Sequence, residues 1–133
     1  MRAFRGIIAT IVVGVLCACI VARGAPNTAV VSSSCNSRTY TAYSPYDFNL
    51  RQVLSYITYK TADSGYSAFT ESDVNGDPCY GHGACYGGLT HPDCTSCLKT
   101  AASNLWDGCP MRVGGQIQLQ DCRIRYENYP FSE

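Results

Sequence analysis

Three cysteines, Cys85, Cys94 and Cys97, are separated by gaps of eight and then two residues, and the closer pair opens a helical pattern. Spacing this tight fixes a local scaffold, because each sulfur that must meet a partner removes freedom from the backbone around it. What the sulfurs serve depends on the compartment the chain enters. Arg2 and Arg5 precede a 16-residue apolar run, Ile7 to Ala22, which is followed by the small residues Gly24 and Ala25. That layout reads as a secretory signal peptide, and the run falls short of the roughly 20 residues a membrane span needs. Residues 1–24 are expected to be removed, leaving residues 25–133 as a single domain with no membrane span.

Removal changes the chemistry of what remains. Arg2, Arg5 and Arg23 leave, so ten bases become seven against ten acids, a net charge of about −3. A mildly acidic chain without Lys/Arg clusters is a poor partner for nucleic acid or anionic lipid. Cys17 and Cys19 leave as well, so nine cysteines become seven. A domain of this size cannot rely on its apolar core alone, and in an oxidising compartment six cysteines are expected to form three bridges with one left over.

Val30, Val31 and Ser32 to Ser34 lead into Cys35 as a short first strand. Ser44, Pro45 and Asp47 supply a cap, a first-turn proline and an acid just before Leu50, Val53, Leu54 and Ile57, which predicts a helix over 45–60. Tyr66 to Thr70 is rich enough in aromatic and β-branched residues for a strand. Residues 71–92 carry Asn75, Gly76, Pro78, Gly81, Gly83, Gly87 and Gly88, a density of turn formers that predicts irregular backbone held by covalent links. A second helix follows from Pro92 or Asp93 to Trp106, capped by Thr90 and stopped by Gly108, with Cys94, Cys97, Leu98, Ala101 and Leu105 on its inner face.

The last stretch has two alternations out of phase. Ile117 and Leu119 are the apolar set before Asp121, and Cys122, Ile124 and Tyr126 the set after it. A bulge or bend near Gln120 and Asp121 would restore one core face, with Gln116 and Glu127 on polar faces. Two helices separated by strands, with too few residues for parallel crossovers, give an α+β fold: an antiparallel sheet with two helices packed on one side.

The triplet, together with Asn27-Thr28-Ala29, Cys35-Asn36, Pro45 to Arg51, Ser64-Gly65-Tyr66, Asp93-Cys94-Thr95, Cys97-Leu98 and the closing Gln118-Leu119, Asp121-Cys122, Ile124 and Tyr126-Glu127, resembles the ginkbilobin-type cysteine-rich domain of plants, the stress-antifungal domain, over essentially the whole chain after residue 24. The resemblance implies a sheet of about five strands, two helices and three disulfides, Cys35 with Cys109, Cys85 with Cys94, and Cys97 with Cys122. In the chain-entropy picture each long closure restricts the unfolded state by roughly 3 to 4.5 kcal/mol. Cys79 has no family partner; it is expected to be a partly buried or solvent-facing free thiol, with a dimer-forming bridge or another pairing within the loop as alternatives to a monomer. The sugar-binding pattern of the family falls, by position, on Asn36, Gln116 and Glu127, with Gln116 standing where the family carries arginine. Carboxylate, amide and guanidinium suit vicinal hydroxyls, and a neutral amide in place of guanidinium is expected to weaken mannose binding several-fold; Arg125, outward beside Glu127, could partly compensate.

What this resemblance implies is a secreted, apoplastic, non-enzymatic antifungal protein that binds mannose or mannan-type glycans of the fungal wall and needs no cofactor; the other reading is an extracellular protein-interaction module. Competing constellations weigh less. Cys94-Thr95-Ser96-Cys97 has redox spacing without a thioredoxin-like strand before it. His82, Cys85, His91, Cys94 and Cys97 could in principle ligate zinc, but secretion favours disulfides. Asp73 to Asp77 places its glycine wrongly for a calcium loop and reads as an Asn-Gly turn. Tyr40, Tyr43, Tyr46, Tyr56 and Tyr59 are expected to pack around the first helix.

Overall fold

The computed structural model describes residues 25–133, so the signal segment assigned to residues 1–24 lies outside the described residues. The elements are β1 (Val30–Cys35), α1 (Pro45–Lys60), a 3-10 turn (Ala62–Ser64), β2 (Ser67–Ser72), β3 (Cys79–Cys85), α2 (His91–Gly108), β4 (Gly115–Leu119) and β5 (Cys122–Glu127). All five strands join one antiparallel sheet in the order β1-β4-β5-β3-β2. Both helices cover the same face of it, α1 over β2 and β3 and α2 over β4 and β5.

Each helix starts where its cap demands. Ser44 Oγ accepts from the Asp47 amide at 3.3 Å, and Thr90 Oγ1 accepts from the Asp93 amide at 3.2 Å, satisfying first-turn N–H groups that have no helical partner. Leu50, Val53, Leu54 and Ile57 of α1, and Leu98, Ala101 and Leu105 of α2, then fall into the core against Ile117, Leu119, Ile124 and Tyr126. Of the tyrosines near α1, Tyr46 is buried with Tyr40 packed on it, whereas Tyr43 is 96% exposed and Tyr56 and Tyr59 face solvent.

Three disulfides pin the helical layer to the sheet: Cys35–Cys109, Cys85–Cys94 and Cys97–Cys122. The first joins the end of β1 to the residue after α2. The second joins β3 to the first turn of α2, and the third joins the middle of α2 to the start of β5.

The expectation of irregular backbone over 71–92 is corrected at its centre. Cys79–Cys85 is β3, paired on both sides, with His82 opposite Phe69 of β2 and Arg125 of β5. The usual alternation is hidden because the inward positions, Cys79, Gly81, Gly83 and Cys85, are all small. They have to be small. A Cβ on Gly81 would lie 2.3 Å from Val53 Cγ1, and one on Gly83 would lie 2.2 Å from Ile57 Cγ2. The glycines are therefore where α1 lies directly on the sheet, not where the chain turns. The turn itself is shorter, with Asn75 (φ 63°) and Gly76 (φ 73°) between β2 and β3. It is held by a side chain rather than by sulfur: Asn49 of α1, fully buried, donates to the carbonyls of Val74 and Asp77 and accepts from the Val74 amide and the Ser72 hydroxyl.

The two out-of-phase alternations resolve as two strands, not one bulged strand. Chain direction reverses at Gln120 and Asp121, and Gln116 pairs with Arg125 and Ile117 with Ile124 across the hairpin.

Cys79 is free and 0% exposed, which corrects both the solvent-facing reading and the bridged dimer, since a sulfur with no accessible surface cannot reach a second molecule without local unfolding. Burial pushes its thiol from 9.0 up to about 12, outweighing the opposing influence of the neighbouring Tyr46 hydroxyl. Burial also raises Tyr46 and Tyr126. All three groups are held neutral by the fold while the unfolded chain ionises first, so their contribution is complete below pH 9.0 and is lost as pH rises, that of Cys79 by about 12 and those of the tyrosines higher still. The urea midpoint should fall over that alkaline range, and native protein should resist a thiol reagent at pH 8 that labels one cysteine once urea unfolds it. Gly83→Ala should cost about 1–3 kcal/mol by overpacking, read as a lower urea midpoint with unchanged slope. Because the added methyl meets Ile57, Gly83→Ala combined with Ile57→Ala should cost less than the two single changes together.

Candidate functional site

The face of the sheet away from the helices is polar, and strand register lays it out as rows. Ser34, Gln116, Arg125, His82 and Phe69 occupy paired positions across β1, β4, β5, β3 and β2. One step along, the Asn36 amide donates to the Gly114 carbonyl at 2.8 Å, which continues the β1–β4 pairing, and Glu127 of β5 is opposite Tyr80 of β3. Residues two apart on a strand share a face, so Asn36, Gly114 and Glu127 stand beside Ser34, Gln116 and Arg125. The three residues singled out from sequence therefore meet in one patch across β1, β4 and β5.

Each of them is held differently. Asn36 follows the Cys35–Cys109 anchor, and its Oδ1 accepts from the Arg38 amide at 2.9 Å, a local turn that leaves Nδ2 as its remaining donor group. Its carbonyl also accepts from Arg112 Nη1 at 2.9 Å. Gln116 is exposed and donates through Nε2 to Ser34 Oγ at 3.0 Å.

Glu127 departs from the expectation of an open polar face: it is on the outward side but only 8% exposed. The carboxylate occupies the space above Gly114, where a Cβ would come within 2.7 Å of Oε1. Arg125 Nε lies 3.9 Å from Oε1, close enough to neutralise but too far for a good hydrogen bond. The carboxylate is thus withdrawn from most water yet retains acceptor capacity, a state in which hydrogen bonds from hydroxyls are stronger than at an open surface.

The remaining sequence constellations come apart. Cys85, Cys94 and Cys97 are spent in disulfides. His82 is buried under the outer face, while His91 is at the exposed first turn of α2 beside Asp63. Among the described residues no group of three or more His, Cys, Asp or Glu is placed to hold a metal ion.

Sequence reasoning missed a second feature of this face. The segment after β5 folds back across it, with Phe131 beside Arg125 and Phe69, and Glu133 beside His82, Arg123 and Arg125. The available signal was the Arg-x-Arg pattern of β5, followed within a few residues by an aromatic and an acid.

The family model described as salt stress response/antifungal matches residues 34–129. The chain belongs to this stress-antifungal family. It is 38% identical to antifungal protein ginkbilobin-like protein 1 of Picea sitchensis, over 97% of both chains. It is 37% identical to antifungal protein ginkbilobin-2 of Ginkgo biloba, over 80% of this chain and 81% of that one. Among solved structures it resembles the tandem DUF26 ectodomain of the Arabidopsis thaliana cysteine-rich receptor-like protein PDLP5, with a TM-score of 0.71 and 25% identity over 77% of this chain. The chain spans about half, 51%, of that ectodomain. A fold like this one thus also occurs within a tandem ectodomain.

Gly114 gives a direct test of the geometry of the patch. Gly114→Ala should displace the Glu127 carboxylate with little change in the sheet, visible in a crystal structure of the variant as a new Glu127 rotamer with greater exposure.

Proposed function

We propose that this chain is a secreted plant antifungal defence protein, not an enzyme, that acts as a lectin on mannose units of fungal wall glycans through Asn36, Gln116 and Glu127. Residues 1–24 would serve as the signal peptide and the mature domain would act in the apoplast. The observation that carries this reading is the convergence of an amide, a second amide and a water-shielded carboxylate around the side-chain-free position Gly114. Glu127 would accept from two neighbouring hydroxyls, and the Asn36 and Gln116 amides would donate to hydroxyl or ring oxygens. Antifungal relatives that match nearly the whole chain support the defence role.

Gln116 also favours a second reading, an extracellular protein-interaction module that need not hold sugar. The likeness to a receptor-like ectodomain points the same way. A glycan array separates the two: signal on mannose-containing glycans that Glu127→Ala removes supports the lectin, and no signal on any glycan supports the interaction module. In calorimetric titration with mannose or mannan, Gln116→Arg should bind several-fold more tightly, since exchanging a neutral for a charged hydrogen bond gains about 1 kcal/mol. Unchanged binding in that variant would remove position 116 from the site.

A further inference from the structure

Glu133 places its carboxylate among three basic side chains of the central strands. Oε1 is 2.7 Å from His82 Nδ1 and 3.9 Å from Arg123 Nη2, and Oε2 is 3.8 Å from Arg125 Nη1. His82 is a built part of this cluster. It is 2% exposed, its Nε2 is 2.9 Å from Ser67 Oγ, and its ring stacks on Phe69 with centroids 4.0 Å apart. The Ser67 contact at Nε2 and the stacking on Phe69 hold the imidazole in place independently of Glu133, which takes only its Nδ1.

Glu133 does not use the capacity of the cluster. Both guanidinium contacts exceed hydrogen-bonding distance, so donors on Arg123 and Arg125 remain available for a better-seated carboxylate. Arg125 also faces Glu127 at 3.9 Å. With Glu133 withdrawn, two arginines against one carboxylate leave the cluster positively charged. The segment that brings Glu133 in is held by side chains: among the described residues, no backbone hydrogen bond outside the helices and strands involves residues 128–133. Its other attachments include the Phe131 ring, 4.2 Å from the Arg125 guanidinium and 6.2 Å from the Phe69 ring, and the Tyr129 hydroxyl, 3.4 Å from Arg125 Nη2.

We propose that His82, Arg123 and Arg125 form a carboxylate-binding subsite, filled here by the chain's own Glu133, whose external ligand is a uronate unit of an acidic polysaccharide. The surroundings favour a sugar over a peptide. The cluster lies over β3 and β5, whose backbone groups are paired on both sides, so an extended peptide has no strand edge to add to. What it offers instead is a cavity of about 190 Å³ beside Arg123 and Arg125, lined by the hydroxyl of Ser32 and the amides of Gln116 and Gln118, groups that suit sugar hydroxyls. The subsite adjoins the patch at Gln116 but does not depend on mannose being the ligand there. Glu133 acts as a tethered competitor, present at an effective concentration on the order of millimolar, which a uronate must displace.

The experiment is calorimetric titration of the intact protein with trigalacturonate, with mannotriose as the neutral control. Glu133→Gln, and separately a chain ending at Pro130, should each bind trigalacturonate about tenfold more tightly than the parent, the gain expected on removing such a competitor, and mannotriose equally well. The gain should vanish when Arg123→Gln is added, and should shrink at high salt. Failure of both altered chains to gain affinity, with melting temperatures showing that they fold, overturns the proposal. So does a gain that survives Arg123→Gln. An equal or larger gain for a short oligoglutamate peptide would overturn the sugar assignment in favour of an acidic peptide.

Discussion

The disulfide between Cys97 and Cys122 fastens the middle of α2 to the first residue of β5, the strand at the centre of the sheet. Side chains alternate along a strand, so fixing Cys122 inward fixes every residue after it. Ile124 and Tyr126 enter the core behind, and Arg123, Arg125 and Glu127 are presented in front. A slip of one residue in β5 would bury two arginines and expose the core, a rearrangement the covalent bond forbids. The chemistry of the outer face is therefore set from the opposite side of the sheet.

That outer face has an uneven electrostatic design. Arg125 stands between two carboxylates, Glu127 and Glu133, while Gln116, its neighbour across the hairpin, is neutral. An arginine at position 116 would have placed two guanidinium groups opposite each other on paired strands, drawing Glu127 towards β4 as well as towards its own strand. With glutamine there, Arg125 is the basic group paired with Glu127, and the segment after β5 competes for it. Glutamine at position 116 thus bears on the sharing of Arg125 as well as on the donors of the patch.

How much of this was legible in the sequence depended on whether the signal was local. The helix over Pro45–Lys60 was readable because its cap, proline and apolar spacing all lie within 16 residues. The triplet and the closing motifs carried the family and, through it, the sulfur pairing. β3 was not readable, because its inward residues are small for a reason located on α1: Val53 and Ile57 occupy the space side chains would need. Burial of Glu127 was hidden for a similar reason, since its niche exists only where Gly114 crosses beside it. The phase change near Asp121 was visible, but a bulge and a hairpin turn produce the same pattern, and only strand pairing distinguishes them. The fold-back of Phe131 and Glu133 had no periodicity to reveal it, being a set of side-chain contacts from a segment without regular structure.

β1 is the least embedded strand of the sheet. It sits at one edge, pairs only with β4, and all six of its residues are exposed, including Cys35. Its bond to Cys109 consequently works as a clasp on a seam: once that bond is reduced, β1 is held by hydrogen bonds, those of the ladder and those reaching Ser34 and Asn36, with no buried side chains to retain it. Peeling it away would carry off Ser34 and Asn36 and bare the edge of β4, a row of unpaired backbone groups that another chain could join. The clasp that secures the β1 side of the polar patch thus also keeps the edge of β4 covered against self-association.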